Sequence, residues 1–468
     1  MSKMKMNKVG FAKRAALAVV AALSVGLATA KEPDKMIWAQ LVHLSTNMWN
    51  DDPPENYQTF YRKIRALSPK LLFDRTVWNR WIDRMVEAKM NMVVIDVGDG
   101  VRYDSHPELA IEGSWTKEEL RAELARLRKL GLEPIPKLNF SARHDSWLKV
   151  YHRMLSTPKY YEVCADLIRE ISEIFDKPRF LHIGMDEETP SKDGEMSVVR
   201  MGKLWWHDFL FLCGETEKNG MRPWIWYYNA YEEGEKFFDL CPKSVVISTA
   251  EYYFGAVNDD NPKMKWLRKL DEHGYDVIPC GSNWACPENM RELVSWGVDN
   301  VSGKHLKGFI MAPWVRTLPC FRKQGLRAIT CVEDAIDMYA ARNDPERTAS
   351  AVWFVREGEK SAYRTNFPED RLQYYIGDQL VIDFGMRRPM RPVLELQHSY
   401  QNIPCTIKVQ AANKLDGQRA VPEGESLEYV LNEGEYRVEM DKTLGPARYL
   451  VITADKKFFL TGLNVKGE

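Results

Sequence analysis

Eight short apolar runs alternate with amphipathic helical runs between residues 36 and 314, an order that leaves few folds open. The runs are Met36 to His43, Asn91 to Val97, Glu133 to Asn139, Arg179 to Asp186, Arg222 to Tyr228, Ser244 to Glu251, Tyr275 to Ser282 and Gly308 to Trp314. Eight strands with crossover helices between them predict a (β/α)₈ or TIM barrel over residues 31–345, in preference to an open doubly wound sheet. The punctuation agrees. Thr116-Lys117-Glu118-Glu119 is a capping box, and Thr157-Pro158 and Asn261-Pro262 each place an N-cap before a first-turn proline. Gly131, Gly220 and Gly274 stand where a helix should hand over to the next strand. Cys164, Leu167, Ile168, Ile171 and Ile174 repeat at helical spacing and mark the face of the third helix that packs on the barrel.

After a helix near Leu326 to Arg342 the pattern changes to alternating strands and turns. Residues 346–384 read as a connecting segment and 385–468 as a small C-terminal β-sandwich domain, with a turn at Asp416-Gly417.

The first thirty residues have another character. Lys3, Lys5, Lys8, Lys13 and Arg14 precede the apolar run Ala15 to Leu27, which ends in Ala28-Thr29-Ala30, so residues 1–30 read as a signal peptide of a secreted or periplasmic protein. Its removal takes five positive charges and no negative ones, moving the formal net charge from −1 to −6. With no basic stripe, nucleic acid is excluded as a partner, and no later segment reaches the ~20 apolar residues of a membrane span. The eight cysteines lack CxxC or Cys/His ligand spacing, so no metal site and no cofactor is expected. A disulfide between Cys286 and Cys320 is a conceivable product of export.

Barrel enzymes work at the C-terminal ends of their strands, so the residues at those ends are the candidates. The fourth run, Phe180-Leu181-His182-Ile183-Gly184-Met185-Asp186-Glu187-Glu188, ends in three adjacent carboxylates. With a period of two, His182, Gly184 and Asp186 share one face and Leu181, Ile183 and Met185 the other. Paired acids are what glycosidic bond cleavage needs, which makes Asp186 and Glu187 the catalytic candidates. Glu188 reads as a solvated or helix-capping carboxylate, and His182 as a support for the acids. The other strand ends supply His43, Asn47 and Trp49; Asp96 and Asp99; Lys137, Asn139, Arg143, His144 and Trp147; Trp226, Tyr228 and Asn229; Glu251, Tyr252 and Tyr253; Asn283 and Trp284; and Trp314 and Arg316. Of these, Asn139, His144, Trp226, Tyr228, Asn229, Glu251, Tyr252, Tyr253, Trp284 and Trp314, with His182, are candidate substrate-binding residues. Amides and carboxylates bind hydroxyls directionally, and aromatic rings stack on the apolar face of a sugar, so a glycan is the expected partner. Trp78, Trp81, Trp205 and Trp206 lie on helices and are assigned to packing.

The segment His182-Ile183-Gly184-Met185-Asp186-Glu187 resembles the HxGxDE signature carried at the end of barrel strand four by family 20 glycoside hydrolases, the β-N-acetylhexosaminidases. The resemblance implies a retaining hydrolysis in which the substrate's own 2-acetamido oxygen attacks the anomeric carbon. Asp186 would then orient the acetamide and Glu187 act as general acid and then base. Tyr252 or Tyr253 would hold the acetamide, and Trp284 or Trp314 would form the pocket floor. The chain differs from the family pattern in having Met185 for a second glycine, no arginine in Met36 to Trp49, and Arg316 after Trp314 in place of a glutamate. Two other readings stand beside it: a retaining glycosidase with Glu251, or more remotely Glu288, as a protein nucleophile, and a non-catalytic carbohydrate-binding barrel.

Overall fold

The computed structural model describes residues 35–49, 66–188, 200–227, 234–253, 256–286, 289–340, 342, 351–358, 363–364, 372–374, 377–391, 393–398, 404–432, 434–439, 442–455 and 458–466. The expected signal segment, together with Tyr228, Asn229 and Glu288, lies outside the described residues.

The first part of the chain is a parallel barrel. Its strands are β1 (Ile37–His43), β2 (Met92–Asp96), β3 (Glu133–Lys137), β4 (Phe180–Gly184), β5 (Arg222–Trp226), β6 (Val246–Ser248), β7 (Cys280–Gly281) and β8 (Gly308–Met311). They are ordered β6-β5-β4-β3-β2-β1-β8-β7, and the parallel bridges Ile247↔Val277 and Ala250↔Cys280 close β6 onto β7. The helices are α1 (Arg75–Glu87), α2 (Lys117–Lys129), α3 (Pro158–Ile174), α4 (Lys203–Lys218), α5 (Lys236–Leu240), α6 (Pro262–Glu272), α7 (Asn289–Asn300) and α8 (Arg322–Ala340).

The local signals are realised as read. Thr116 Oγ1 accepts from the Glu119 N–H at 3.1 Å while the Glu119 carboxylate accepts from the Thr116 N–H at 2.8 Å. Thr157 and Asn261 cap α3 and α6 from their side chains, each ahead of a first-turn proline. Gly131, Gly220 and Gly274 follow their helices at φ of 83°, 80° and 79°, a region open to glycine at little cost. The predicted face of α3 is buried, and each large aliphatic on it contributes about 1.5–3 kcal/mol. Trp78, Trp81, Trp205 and Trp206 are buried packing residues. Cys286 is buried, Cys320 is exposed, and no disulfide joins them. No helix among the described residues is long and apolar enough to cross a membrane.

Strand parity divides the barrel side chains. Trp38, Val93, Leu181, Ile183, Ile225 and Phe309 face the helices, whereas Ala39, Leu41, Val94, Ile135, Phe180, Trp224 and Ile310 fill the lumen. One step further along the strands the lumen turns polar. His43, Asp96, Lys137 and His182 are register partners across β1 to β4, so they form a single row across one wall. This charged row is the floor on which the strand-end residues stand.

After the barrel come strands β9 (Ala351–Val355), β10 (Tyr363–Arg364), β11 (Leu372–Tyr374), β12 (Gln379–Met390), β13 (Val393–His398), β14 (Cys405–Asp416), β15 (Arg419–Leu431), β16 (Gly434–Glu439), β17 (Leu444–Ala454) and β18 (Phe458–Lys466). They form a six-stranded sheet, β10-β9-β12-β17-β14-β15, and a four-stranded sheet, β11-β18-β13-β16. The pairs along these sheets are antiparallel, and the β14–β15 hairpin turns at Gly417, which has φ 64°. The strands begin at Ala351, inside the segment 346–384 read from sequence as a connection, because β9 pairs with β12 in the centre of the larger sheet.

Candidate active site

The segment leaving β4 is a sharp left-handed turn. Gly184, Met185 and Glu187 have φ of 76°, 68° and 58°. For Met185 and Glu187 this backbone costs roughly 1–3 kcal/mol each, strain of a kind that gathers at functional sites. Gly184 is required twice over, for its φ and because a Cβ there would lie 1.9 Å from Asn139 Oδ1. The turn sends neighbouring acids to different places. The Asp186 side chain is 15% exposed and the Glu187 side chain 47%.

Asp186 is held from β3. Asn139 Nδ2 donates to Asp186 Oδ1 at 3.0 Å, Ser141 Oγ donates to the Asp186 carbonyl, and the Trp147 indole N–H donates to the Asn139 carbonyl at 2.7 Å. Gly184→Ala is therefore expected to displace Asn139 and free Asp186. It should lower stability by about 1–2 kcal/mol from backbone alone and more from the clash, read as a urea-midpoint shift with loss of turnover.

His144 links the two acids. Its Nε2 lies 3.2 Å from Glu187 Oε2 and 3.5 Å from Asp186 Oδ2, and its Nδ1–H donates to the Met48 carbonyl at 2.9 Å. Burial alone would push the imidazole down. The charges of Asp186 and Glu187 and the hydrogen bond to Glu187 outweigh it, lifting His144 to about 9. Because the folded value lies above the ordinary 6.5, the stabilisation is complete below pH ~6.5 and is lost as pH rises through about 9. Wild type should therefore be more stable than His144→Gln near pH 6, with the difference shrinking towards pH 10 in thermal melts.

Below this cluster, Asp96 Oδ2 is 3.0 Å from His43 Nδ1 and accepts from Lys137 Nζ at 2.8 Å. Burial would raise the Asp96 carboxyl, but Lys137 and then His43 hold it below the usual range. His182 is fully buried in the same row. Its Nδ1 accepts from the Gly184 N–H at 3.1 Å, which leaves the proton on Nε2. Burial, and then Lys137, push it well below the usual histidine range, so it is a neutral ring that braces the turn and not the acids.

Aromatic rings close the lumen. Trp226 lies 4.3 Å from His182 and 5.8 Å from Trp314 between ring centroids, and Trp314 is tilted 6.1 Å from His43. The Tyr252 hydroxyl, 3.9 Å from Cys280 Sγ, is pushed well above the ordinary phenol range by burial first and then by Cys280, with the Asp186 charge adding to it. Tyr253 and Trp284 differ from these, being 56% and 43% exposed and paired edge to face at 6.3 Å.

Glu188 is not solvated, and among the described residues it caps no helix: it is buried against Arg200, whose Nε donates to Oε2 at 3.0 Å and whose Nη2 donates to Oε1, and it accepts from the Ala142 N–H at 2.9 Å. Glu251 is buried with both oxygens engaged, Oε1 by the N–H groups of Tyr252 (2.9 Å) and Tyr253 (3.3 Å), and Oε2 by Asn261 Nδ2 (3.0 Å). It shapes the loop that carries the tyrosines. Arg316 donates to the Ala66 carbonyl at 3.1 Å. Ser141, Arg200 and the Met48 carbonyl were not among the sequence candidates, and only the capacity of Arg200 to pair with an acid has any trace in the sequence.

No family model matches the chain, and no curated protein matches it in sequence. Among solved structures it is similar to the Flavobacterium johnsoniae chitobiase, at 17% identity and a TM-score of 0.43, over 62% of this chain and 47% of that one. It is similar to the Streptomyces plicatus N-acetyl-β-hexosaminidase in complex with thio-NAglucal, at 12% identity and a TM-score of 0.46, over 64% of each chain. It is also similar to a family 138 glycoside hydrolase targeting pectin rhamnogalacturonan II, at 13% identity and a TM-score of 0.43, over 67% of this chain and 40% of that one. The chain spans less than two thirds of the length of each of these.

Proposed function

We propose that this protein is an exported glycoside hydrolase that cleaves N-acetylhexosamine-containing glycans with assistance from the substrate's acetamide, using Asp186 and Glu187. The observation that carries the reading is the β4 turn, which leaves the Asp186 side chain largely buried and the Glu187 side chain about half exposed, with His144 Nε2 within reach of both. Asp186, fixed by Asn139, accepts from the acetamide N–H, which aims the acetamide oxygen at the anomeric carbon, and we assign Tyr252 to brace that oxygen. Trp226 and Trp314 supply the apolar floor, and the buried Trp226 indole N–H, without a partner among the described residues, suits a ring hydroxyl. As the acetamide oxygen bonds to C1 and the C1–O bond breaks, Glu187 passes to the leaving oxygen the proton it shares with His144. Its carboxylate then takes a proton from the water that opens the oxazolinium.

A protein nucleophile is the weaker reading, because the strand-end carboxylate best placed for it, Glu251, already accepts three hydrogen bonds. A binding-only barrel would have no use for a strained turn that separates two adjacent acids. The test is an aryl N-acetyl-β-glucosaminide against the matching glucoside, with a thiazoline mimic of the oxazolinium as inhibitor. Cleavage of the first alone, with inhibition, is expected. Asp186→Ala should lose roughly a hundredfold or more even on activated aryl substrates, as when a preorganised charge stabiliser is removed. Turnover near wild type in that variant rejects the assisted mechanism.

A further inference from the structure

We infer that Asp99 is a positioning residue for His144, acting through the strap of residues 44–49 that follows β1. Asp99 is buried in the tight turn Gly98–Gly100 after β2. Its Oδ1 accepts from Ser45 Oγ at 2.5 Å and its Oδ2 from Asn47 Nδ2 at 2.7 Å. The Asn47 amide is closed on its other side by Ser68, accepting from its N–H and donating to its carbonyl, both at 2.9 Å. One carboxylate thus clamps the strap at two points. The next residue, Met48, turns its carbonyl to the Nδ1–H of His144 at 2.9 Å. The Met48 side chain is seated on the same turn, since a Cβ on Gly98 would come within 2.9 Å of its Cε. Trp49 then packs edge-on to His43 at 4.7 Å. The ring that holds Glu187 is therefore oriented by a backbone carbonyl whose place is set by Asp99.

The clamp is a costly one for the fold. Burial lifts the Asp99 carboxyl to about 6, against the hydrogen bonds of Asn47 and Ser45 and the charge of Lys149. Tyr103, whose phenol is raised by burial and then by Asp99, faces it as well. With the folded value above the ordinary 3.8, the fold favours the protonated form, and that contribution is lost as pH rises through about 6. A buried carboxylate that pins the strap beneath His144 at two points, against its own desolvation, is better explained by function than by packing. On the other side, His144 faces Asp186 and Glu187, which raise it, and Lys137, which lowers it. Loss of the Met48 acceptor would make the imidazolium less favourable.

The part of this inference that concerns turnover rests on the proposed function, whereas the part that concerns His144 does not. The test compares Asp99→Asn and Ser45→Ala with wild type by NMR titration of the His144 ring, alongside melting temperature and kinetics. In both variants the His144 pKa is expected to fall by about one unit or more. Asp99→Asn should melt at the same or a higher temperature. Both should lose about tenfold in kcat on N-acetylglucosaminides with poor leaving groups, with KM within about twofold, and the acid limb near pH 6 should flatten in Asp99→Asn. Ser45→Ala keeps the Asp99 charge, so a fall there separates the strap from a direct charge effect. An unchanged His144 pKa in both variants, or a fall confined to Asp99→Asn, overturns the inference. Should wild type cleave no glycoside, the proposed function fails and the NMR comparison still decides the role of Asp99.

Discussion

Glu187→Gln is expected to lower turnover of glycosides with poor leaving groups by roughly 10²–10⁴-fold, the usual worth of a positioned general acid. Binding should stay within a few-fold, because in the proposed mechanism Asp186, Tyr252 and the tryptophan floor hold the sugar, while the Glu187 side chain is about half exposed. Substrates that leave without a proton should lose far less in the first step. The glutamine cannot deprotonate water either, so the second step becomes limiting on good leaving groups, and a burst of released phenol should appear in stopped-flow traces. Added azide or another small anionic nucleophile should restore part of the rate. Equal losses on good and poor leaving groups, with no burst, would count against the acid/base role.

Arg200→Ala carries the largest expected effect on stability. Arg200 is fully buried, donates to Glu188, lies 3.1 Å from Asp208 and donates to the Phe140 carbonyl at 2.7 Å. Burial by itself would lower the guanidinium, and the opposing Glu188 charge first among the others raises it well above its ordinary value. Removing it leaves buried carboxylates uncompensated, which costs about 3–5 kcal/mol. Glu188 adjoins Glu187, so the same change should loosen the catalytic turn. The double variant Glu188→Leu, Arg200→Leu should be less destabilised than Arg200→Leu alone, since it removes the Glu188 charge together with its partner, while Asp208 still loses Arg200. Urea unfolding of the four proteins in this cycle measures the coupling directly; purely additive losses would mean that the pair is not an energetic unit.

The site was legible in proportion to how local its causes are. The parity of β4 assigned His182, Gly184 and Asp186 to one face, and the structure puts His182 in the lumen with Asp186 following at the mouth. The strand-end rule likewise named Asn139, His144, Trp226 and Trp314, and the structure places Asn139 against Asp186, His144 against Glu187 and Trp226 beside His182 and Trp314. It could not divide Tyr252 from Tyr253, or Trp314 from Trp284, because which ring turns inward depends on loop backbone and not on residue type. The φ of 51° at Trp314 is one such decision. Glu251 had the right residue type in the right place, and the structure engages it with two backbone N–H groups that no side-chain pattern announces.

The amino-acid sequence by itself determined the order of strands and helices, the helix caps, the inward and outward faces and the paired acids, all of which follow from repeats and neighbours a few residues apart. Only the tertiary structure decided that Glu188 belongs to Arg200, that Ser141 and Asn139 hold Asp186, and that Asp99 and Met48 reach His144 through a strap. These contacts join residues 12 to 96 positions apart, and several end on a backbone carbonyl or N–H. Every residue carries those same groups, so only the folded path of the chain distinguishes one from another.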